Sequence, residues 1–77
     1  MTQGRIDKTR DKMRRGGLPS PTDDVLVIRL SRGNCCSGCD ELIEIGEDEH
    51  FINVRRVVML RFHDVCYNAW ATYSRSP

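Results

Sequence analysis

Two short segments decide the fold of this chain: CSGC at residues 36–39 and HDVC at residues 63–66. They are separated by 23 residues, and each offers two side chains that can bind a metal ion. Two pairs of thiolate and imidazole ligands match the tetrahedral coordination of Zn²⁺. The spacing therefore predicts one zinc ion bound by Cys36, Cys39, His63 and Cys66.

The local geometry expected of each pair supports this prediction. A C-x2-C turn presents both sulfurs to one ion, and Gly38 tolerates unusual backbone angles and leaves an N–H group free to approach a thiolate. His63 and Cys66 are three residues apart at the predicted start of a helix, so both face the same side. Because protein side chains fill all four positions, the zinc is expected to be structural and not hydrolytic.

Other assignments of the ligands remain open at this point. Cys35 could bind in place of Cys36, although the C-x2-C spacing suits a tight turn better and leaves Cys35 as a spare thiol. His50 could replace His63, but it has no partner at short spacing. A redox role for Cys36 and Cys39 is a further alternative, although such pairs usually need a βαβ context.

Length and composition agree with a small, metal-stabilised domain. The chain has 77 residues, enough for one domain, and hydrophobic residues are 39% of the total and scarce before Leu18. A core of this size usually needs disulfides or a metal. The longest apolar runs have four residues, against about 20 for a membrane span, and no secretory signal is recognisable. We therefore expect a cytoplasmic location, where thiols stay reduced.

The charge distribution divides the chain into regions. Residues 1–22 hold six basic and two acidic side chains, and glycines and prolines mark the end of this segment. We predict a flexible basic arm here, because few apolar residues are available to stabilise a helix by packing. Residues 23–77 are predicted to form the single zinc-binding domain, whose first half, residues 23–50, has a net charge of −6.

Apolar patterning predicts an α+β domain with three short strands and one helix. The strands are expected at residues 25–30, 51–54 and 57–62, with the last two forming a hairpin. The helix is expected at residues 64–73, because apolar side chains recur there at helical spacing. The expected core consists of Ile43, Phe51, Val58, Leu60, Phe62, Ala69 and Trp70.

These motifs resemble those of known zinc modules. The spacing C-x2-C-x23-H-x2-C is similar to the first zinc module of LIM domains, without a second module. Residues 34–73 also resemble small bacterial zinc-finger proteins with Ile43, Gly46 and Glu47 after the knuckle and Phe62, Tyr67 and Trp70 around the second ligand pair. The resemblance implies a treble clef, in which a zinc knuckle, a β-hairpin and a helix surround one structural zinc.

The resemblance leaves the function to be argued from the site, since treble clefs have many roles. Small size and opposed charges favour a protein-interaction adaptor or regulator. The alternative is a nucleic-acid binder that contacts phosphates through the basic arm and the hairpin arginines, although the sequence pI of about 7.7 is low for that class. Its candidate contacts are Arg5, Lys8, Arg10, Lys12, Arg14, Arg15, Arg55, Arg56 and Arg61.

Catalysis is not expected from this sequence. A zinc-supported nuclease would have only His50 and Asn68 available once His63 binds the metal, so a second catalytic histidine is missing. Cys35 as a nucleophile has no convincing base beside it. We therefore predict no catalytic residues and no small-molecule substrate.

Overall fold

A computed structural model of the chain describes residues 2–73. Met1 and residues 74–77, which belong to the predicted arm and to the end of the predicted domain, lie outside the described residues. The elements in chain order are α1 (Thr2–Arg14), β1 (Leu26–Leu30), β2 (Asp48–Val54), β3 (Val58–Phe62) and α2 (Asp64–Ala71). The expected small α+β architecture is therefore confirmed for this part of the chain, with one helix more than predicted.

The three strands form one antiparallel sheet in the order β1-β2-β3. The register pairs Ile52 of β2 with Leu26 of β1 and with Leu60 of β3, so these side chains share one face. Phe62 lies on the same face, and its ring stacks on Trp70 of α2 with the ring centroids 5.4 Å apart. The core therefore sits between this face of the sheet and α2.

Two residues of the expected core are placed differently. Val58 is 39% exposed, because it begins β3 at the hairpin and pairs there with Val54. Phe51 is half-buried and pairs with Arg61, which puts it on the face away from Ile52. The other five expected core residues are buried, namely Ile43, Leu60, Phe62, Ala69 and Trp70.

The prediction of a flexible arm at the N-terminus is wrong for the described residues 2–14. They form α1, which packs against α2. Met13 is 1% exposed and Thr9 is fully buried, and the Thr9 hydroxyl donates a hydrogen bond to the Arg5 carbonyl at 2.9 Å. A polar residue can occupy the buried face of a helix when the helix backbone accepts its hydrogen bond. The apolar stripe was too sparse to reveal this packing from the sequence.

The segment after α1 is also anchored to the domain. Leu18 is buried, and the Trp70 indole Nε1 donates a hydrogen bond to the Pro19 carbonyl at 2.8 Å. At the other end of this segment, the Asp24 carboxylate accepts a hydrogen bond from the Arg55 backbone N–H at the hairpin. Residues 15–24 therefore run across the domain surface with fixed contacts to α2 and to the hairpin. Of the helices described, none has the length and apolar character to cross a membrane.

Candidate metal centre

The two ligand pairs converge on one point in the structure. One ligand atom each from Cys36, Cys39, His63 and Cys66 lies within 4.8 Å of the other three. Cys35 is exposed and lies outside this cluster, as does His50, among the described residues. The grouping predicted from spacing is thus what the fold brings together.

The distances inside the cluster fit a tetrahedral zinc ion. Bond lengths of about 2.3 Å to sulfur and about 2.05 Å to nitrogen give a sulfur–nitrogen edge of about 3.6 Å. His63 Nδ1 lies 3.4 Å from Cys39 Sγ and 3.8 Å from Cys66 Sγ. Both distances are within about 0.2 Å of that edge, so His63, Cys39 and Cys66 are placed to share one zinc ion.

The ring of His63 is oriented for metal binding through Nδ1. Its Nε2 lies 3.1 Å from the Leu42 carbonyl, so this nitrogen carries the proton and donates it to the backbone. The lone pair is then on Nδ1, which faces the thiols. A hydrogen bond from the ring nitrogen that does not bind the metal is the usual way in which proteins fix the tautomer of a metal-binding histidine.

The first ligand pair sits in a tight knuckle. The Gly38 N–H donates to Cys36 Sγ at 3.4 Å, the Asp40 N–H donates to the Cys36 carbonyl, and Asp40 has a positive φ of 65°. The expected N–H contact to a thiolate is therefore present. Gly38 itself is absent from the positive-φ residues, so its importance lies in its lack of a side chain.

The thiols have different acidities because they bond to one another. The hydrogen bond with Cys66 is the main reason that the pKa of Cys36 falls to about 4, and nearby backbone N–H groups lower it further. The same hydrogen bond is the main cause that raises the pKa of the Cys66 thiol, and burial adds a smaller increase in the same direction. Burial also raises the pKa of Cys39.

The helix α1 covers the knuckle and encloses the cluster. A Cβ added at Gly38 would clash with Thr9 Oγ1 and would lie 3.1 Å from Thr9 Cγ2 and 3.2 Å from Cys66 Cβ. The Lys12 ammonium donates to the Ser37 carbonyl at 3.0 Å, which ties the helix to the knuckle. All four ligands are at most 3% exposed as a result. Zinc is typical for such a closed Cys₃His donor set.

Several of the predicted nucleic-acid contacts have acidic partners in the structure. Arg5 lies 3.8 Å from Glu41, and Lys12 forms an ion pair with Asp40. Asp11 is shared by Arg14 at 3.6 Å and Arg15 at 3.0 Å. Arg5, Lys12 and Arg14 belong to the docked helix α1, and Arg15 follows directly after it, so these side chains are not part of a mobile cationic arm.

The remaining predicted contacts are dispersed over the surface. Lys8 and Arg10 are exposed on α1, whereas Arg55 and Arg56 lie in the turn between β2 and β3. Arg61 is on the outer face of the sheet, with its guanidinium carbon 5.7 Å from the centre of the Phe51 ring. The predicted basic residues therefore divide between two places, α1 with the turn after it and the β2–β3 hairpin.

Sequence analysis missed a second polar group, which lies on the outer face of the sheet. Glu49 is fully buried, and its two oxygens accept hydrogen bonds from Arg29 Nε and Asn34 Nδ2, each at 2.8 Å. Arg29 also lies over the Phe51 ring at 4.4 Å. The only signal in the sequence is the alternation within β1 and β2, which becomes informative once the register pairs Arg29 with Glu49.

Comparisons with known proteins add no identification. No model of a protein family matches the chain, and neither the curated proteins nor the solved structures give a significant match. The resemblance to LIM modules thus rests on the ligand spacing alone. The metal cluster and the α+β fold remain the basis for a functional assignment.

Proposed function

We propose that this chain is a non-catalytic module with one structural zinc, which acts as a protein-interaction adaptor or regulator. The observation that supports it most is the buried Cys₃His cluster, whose four ligand atoms lie close together and are enough to complete a tetrahedral site. Because no position is left for water, zinc here would supply folding energy and not activate a nucleophile.

The order of elements around the cluster supports a treble clef as the more specific description. A knuckle carrying Cys36 and Cys39 comes first, the β2–β3 hairpin follows, and His63 and Cys66 stand just before and within the first turn of α2. This arrangement is the one expected from the resemblance to the first module of LIM domains. Such modules present surfaces to other proteins, which agrees with an adaptor role.

The exposed apolar side chains of the sheet support binding to a protein. Ile28 and Leu30 of β1 are 57% and 66% exposed, and Met59 of β3 is 58% exposed. Ile28 and Leu30 lie on one face of the edge strand β1, and neighbouring exposed apolar side chains of this kind are typical of interaction surfaces. Four of the predicted basic residues, by contrast, are paired with acids, which favours a protein partner over a nucleic acid.

Affinity capture with nuclease-treated extract tests the adaptor role. We expect the wild-type chain to retain a defined protein partner, and the Ile28→Lys/Leu30→Lys variant to lose it while keeping its zinc and its amide spectrum. Val57→Lys is the matched control, because Val57 is 81% exposed in the hairpin turn. Capture that disappears after nuclease treatment would instead support the nucleic-acid alternative.

A further inference from the structure

A polar pocket lies beside the outer strand of the sheet, away from the metal cluster. It has a volume of about 450 Å³ and is lined by Arg29, Leu30, Arg32, Asn34 and Glu49. This volume falls within the range of about 300–1,000 Å³ that is common for ligand pockets. Two guanidinium groups on its wall make it suited to an anion.

Arg29 is held rigidly with part of its guanidinium available. Its Nε donates to Glu49, and its planar group lies over the Phe51 ring, yet its side chain is 46% exposed. A guanidinium has five N–H donors, of which this bond uses one. Arginine fixed in this way loses little conformational entropy when it binds a carboxylate or phosphate.

Glu49 does not cancel the positive charge of the pocket. Both of its oxygens already accept hydrogen bonds, and its side chain is fully buried. Burial alone would raise the pKa of Glu49, but the hydrogen bonds from Asn34 and Arg29, with the charges of Arg29 and Arg61, outweigh burial and lower it. One carboxylate thus faces two lining arginines, which leaves a positive charge for a ligand.

The strand that carries Arg29 has an open edge. In the described sheet β1 pairs only with β2, so the other side of β1 is available to a further strand. Side chains directly opposite each other in neighbouring strands share a face. A residue opposite Arg29 would therefore point to the face of the pocket, and its neighbours would meet the exposed Ile28 and Leu30 on the other face.

We propose that β1 binds an extended, acidic peptide segment of a protein partner, whose carboxylate or phosphate group enters the pocket between Arg29 and Arg32. The segment adds a fourth strand to the sheet, and its acidic residue is flanked by apolar residues. This inference rests on the proposed adaptor function and names the class of partner. Glu49 is a positioning residue that orients Arg29.

The surroundings favour one anionic side chain over a polyanion. The turn that precedes β2 returns to this end of β1, since the Ser31 N–H donates to the Glu47 carbonyl at 2.8 Å. Glu44 and Glu47 are exposed in the segment before β2, and exposed Asp48 begins the strand. A nucleic-acid backbone would bring several phosphates near these carboxylates, whereas a single acidic residue can avoid them.

A blocked synthetic peptide tests the proposal on the full zinc-loaded chain. The probe has one Asp between valines, and the matched peptide has Asn in its place. We expect the Asp peptide to shift the amide signals of β1 and to bind at least roughly tenfold more tightly than the Asn peptide, as loss of a charged hydrogen bond predicts. A phosphoserine version of the probe distinguishes phosphate from carboxylate as the preferred group.

Variants locate the binding site. Arg32→Glu is expected to weaken the Asp peptide at least roughly tenfold, and it leaves the Arg29–Glu49 contact in place. Arg56→Glu makes the same change of charge at the hairpin, away from the pocket, and should leave the affinity within about twofold of wild type. If the peptide responded only to the overall charge of the protein, both variants would weaken binding equally. Zinc content and the amide spectrum of each variant show that the fold is retained.

Four results would overturn the proposal. Equal affinities for the Asp and Asn peptides, or equal losses in Arg32→Glu and Arg56→Glu, would remove the pocket from the account. Tighter binding of a short single-stranded DNA, with the same dependence on Arg32, would assign the site to nucleic acid. Self-association through β1 would assign its edge to a second copy of this chain. Intact zinc binding and partner capture alongside such a result would leave the adaptor function standing.

Discussion

The metal cluster and the helix that covers it differ in how clearly the sequence predicts them. The cluster is encoded by four residues whose chemistry and spacing admit few alternatives. The helix α1 is encoded by a sparse set of contacts in which a threonine and a methionine fill the interface. Metal ligands can therefore be predicted from residue type and spacing in short segments, whereas the docking of a helix depends on the surface that the rest of the chain provides.

The largest expected effect comes from the loss of one metal ligand. Cys39→Ser removes one thiolate, and since the binding energy of structural zinc is of order 10 kcal/mol and is largely folding energy, we expect the domain to unfold. The measurement is the dispersion of the amide NMR spectrum. Cys35→Ser is the control, because Cys35 is exposed and outside the cluster. A dispersed spectrum for Cys39→Ser would contradict the structural role of the metal.

A buried methionine tests whether α1 belongs to the folded unit. Met13 is 1% exposed, and truncation of such a side chain to alanine costs about 2–5 kcal/mol. We expect Met13→Ala to lower the free energy of unfolding by this amount in denaturant titrations while zinc stays bound. Lys8→Ala, at an exposed position of the same helix, should change it little. An unchanged free energy of unfolding in Met13→Ala would instead support a flexible arm at the N-terminus.

The contact between the two regions can be tested with a single methyl group. Gly38→Ala places a Cβ against Thr9, and overpacking of this kind costs about 1–3 kcal/mol. Thr9→Ala removes the two Thr9 atoms that the new methyl would meet and leaves only the contact with Cys66 Cβ at 3.2 Å. We expect the double variant to recover part of the loss, so that a double-mutant cycle gives a coupling energy. Additive effects would show that α1 does not rest on Gly38.

An effect of similar size is expected on the outer face of the sheet, and this one depends on pH. Hydrogen bonds and nearby arginines outweigh burial and lower the pKa of Glu49 in the folded chain, so its carboxylate stabilises the fold above the unfolded pKa of about 4.3. That contribution is lost as the pH falls through the lower, folded pKa. We expect Glu49→Gln to cost roughly 1–3 kcal/mol at neutral pH.

The difference between wild type and Glu49→Gln should therefore shrink as the pH falls below about 4. The measurement is the free energy of unfolding of both proteins at several pH values. Acid also releases metal from thiolate and imidazole ligands, but this affects both proteins and leaves their difference informative. A difference that is constant with pH would contradict the ionised state assigned to Glu49.

Sequence reasoning recovered the elements whose signals are local. The strands and α2 follow from alternation and helical spacing, and the ligands follow from residue type. The apolar character of Phe51 predicts a core position. It does not determine which face of the sheet the side chain occupies. The register decides that face, and it places Phe51 opposite Arg61. The role of Thr9 was hidden because its hydroxyl is satisfied within its own helix.

Native mass spectrometry of protein purified without added metal, repeated under denaturing conditions, tests the central claim most directly. We expect a mass excess of one zinc in the native spectrum and loss of that excess on denaturation. A folded protein at the apo mass would contradict a structural zinc held by Cys36, Cys39, His63 and Cys66. Those thiols would then have to be explained by redox or nucleophilic chemistry.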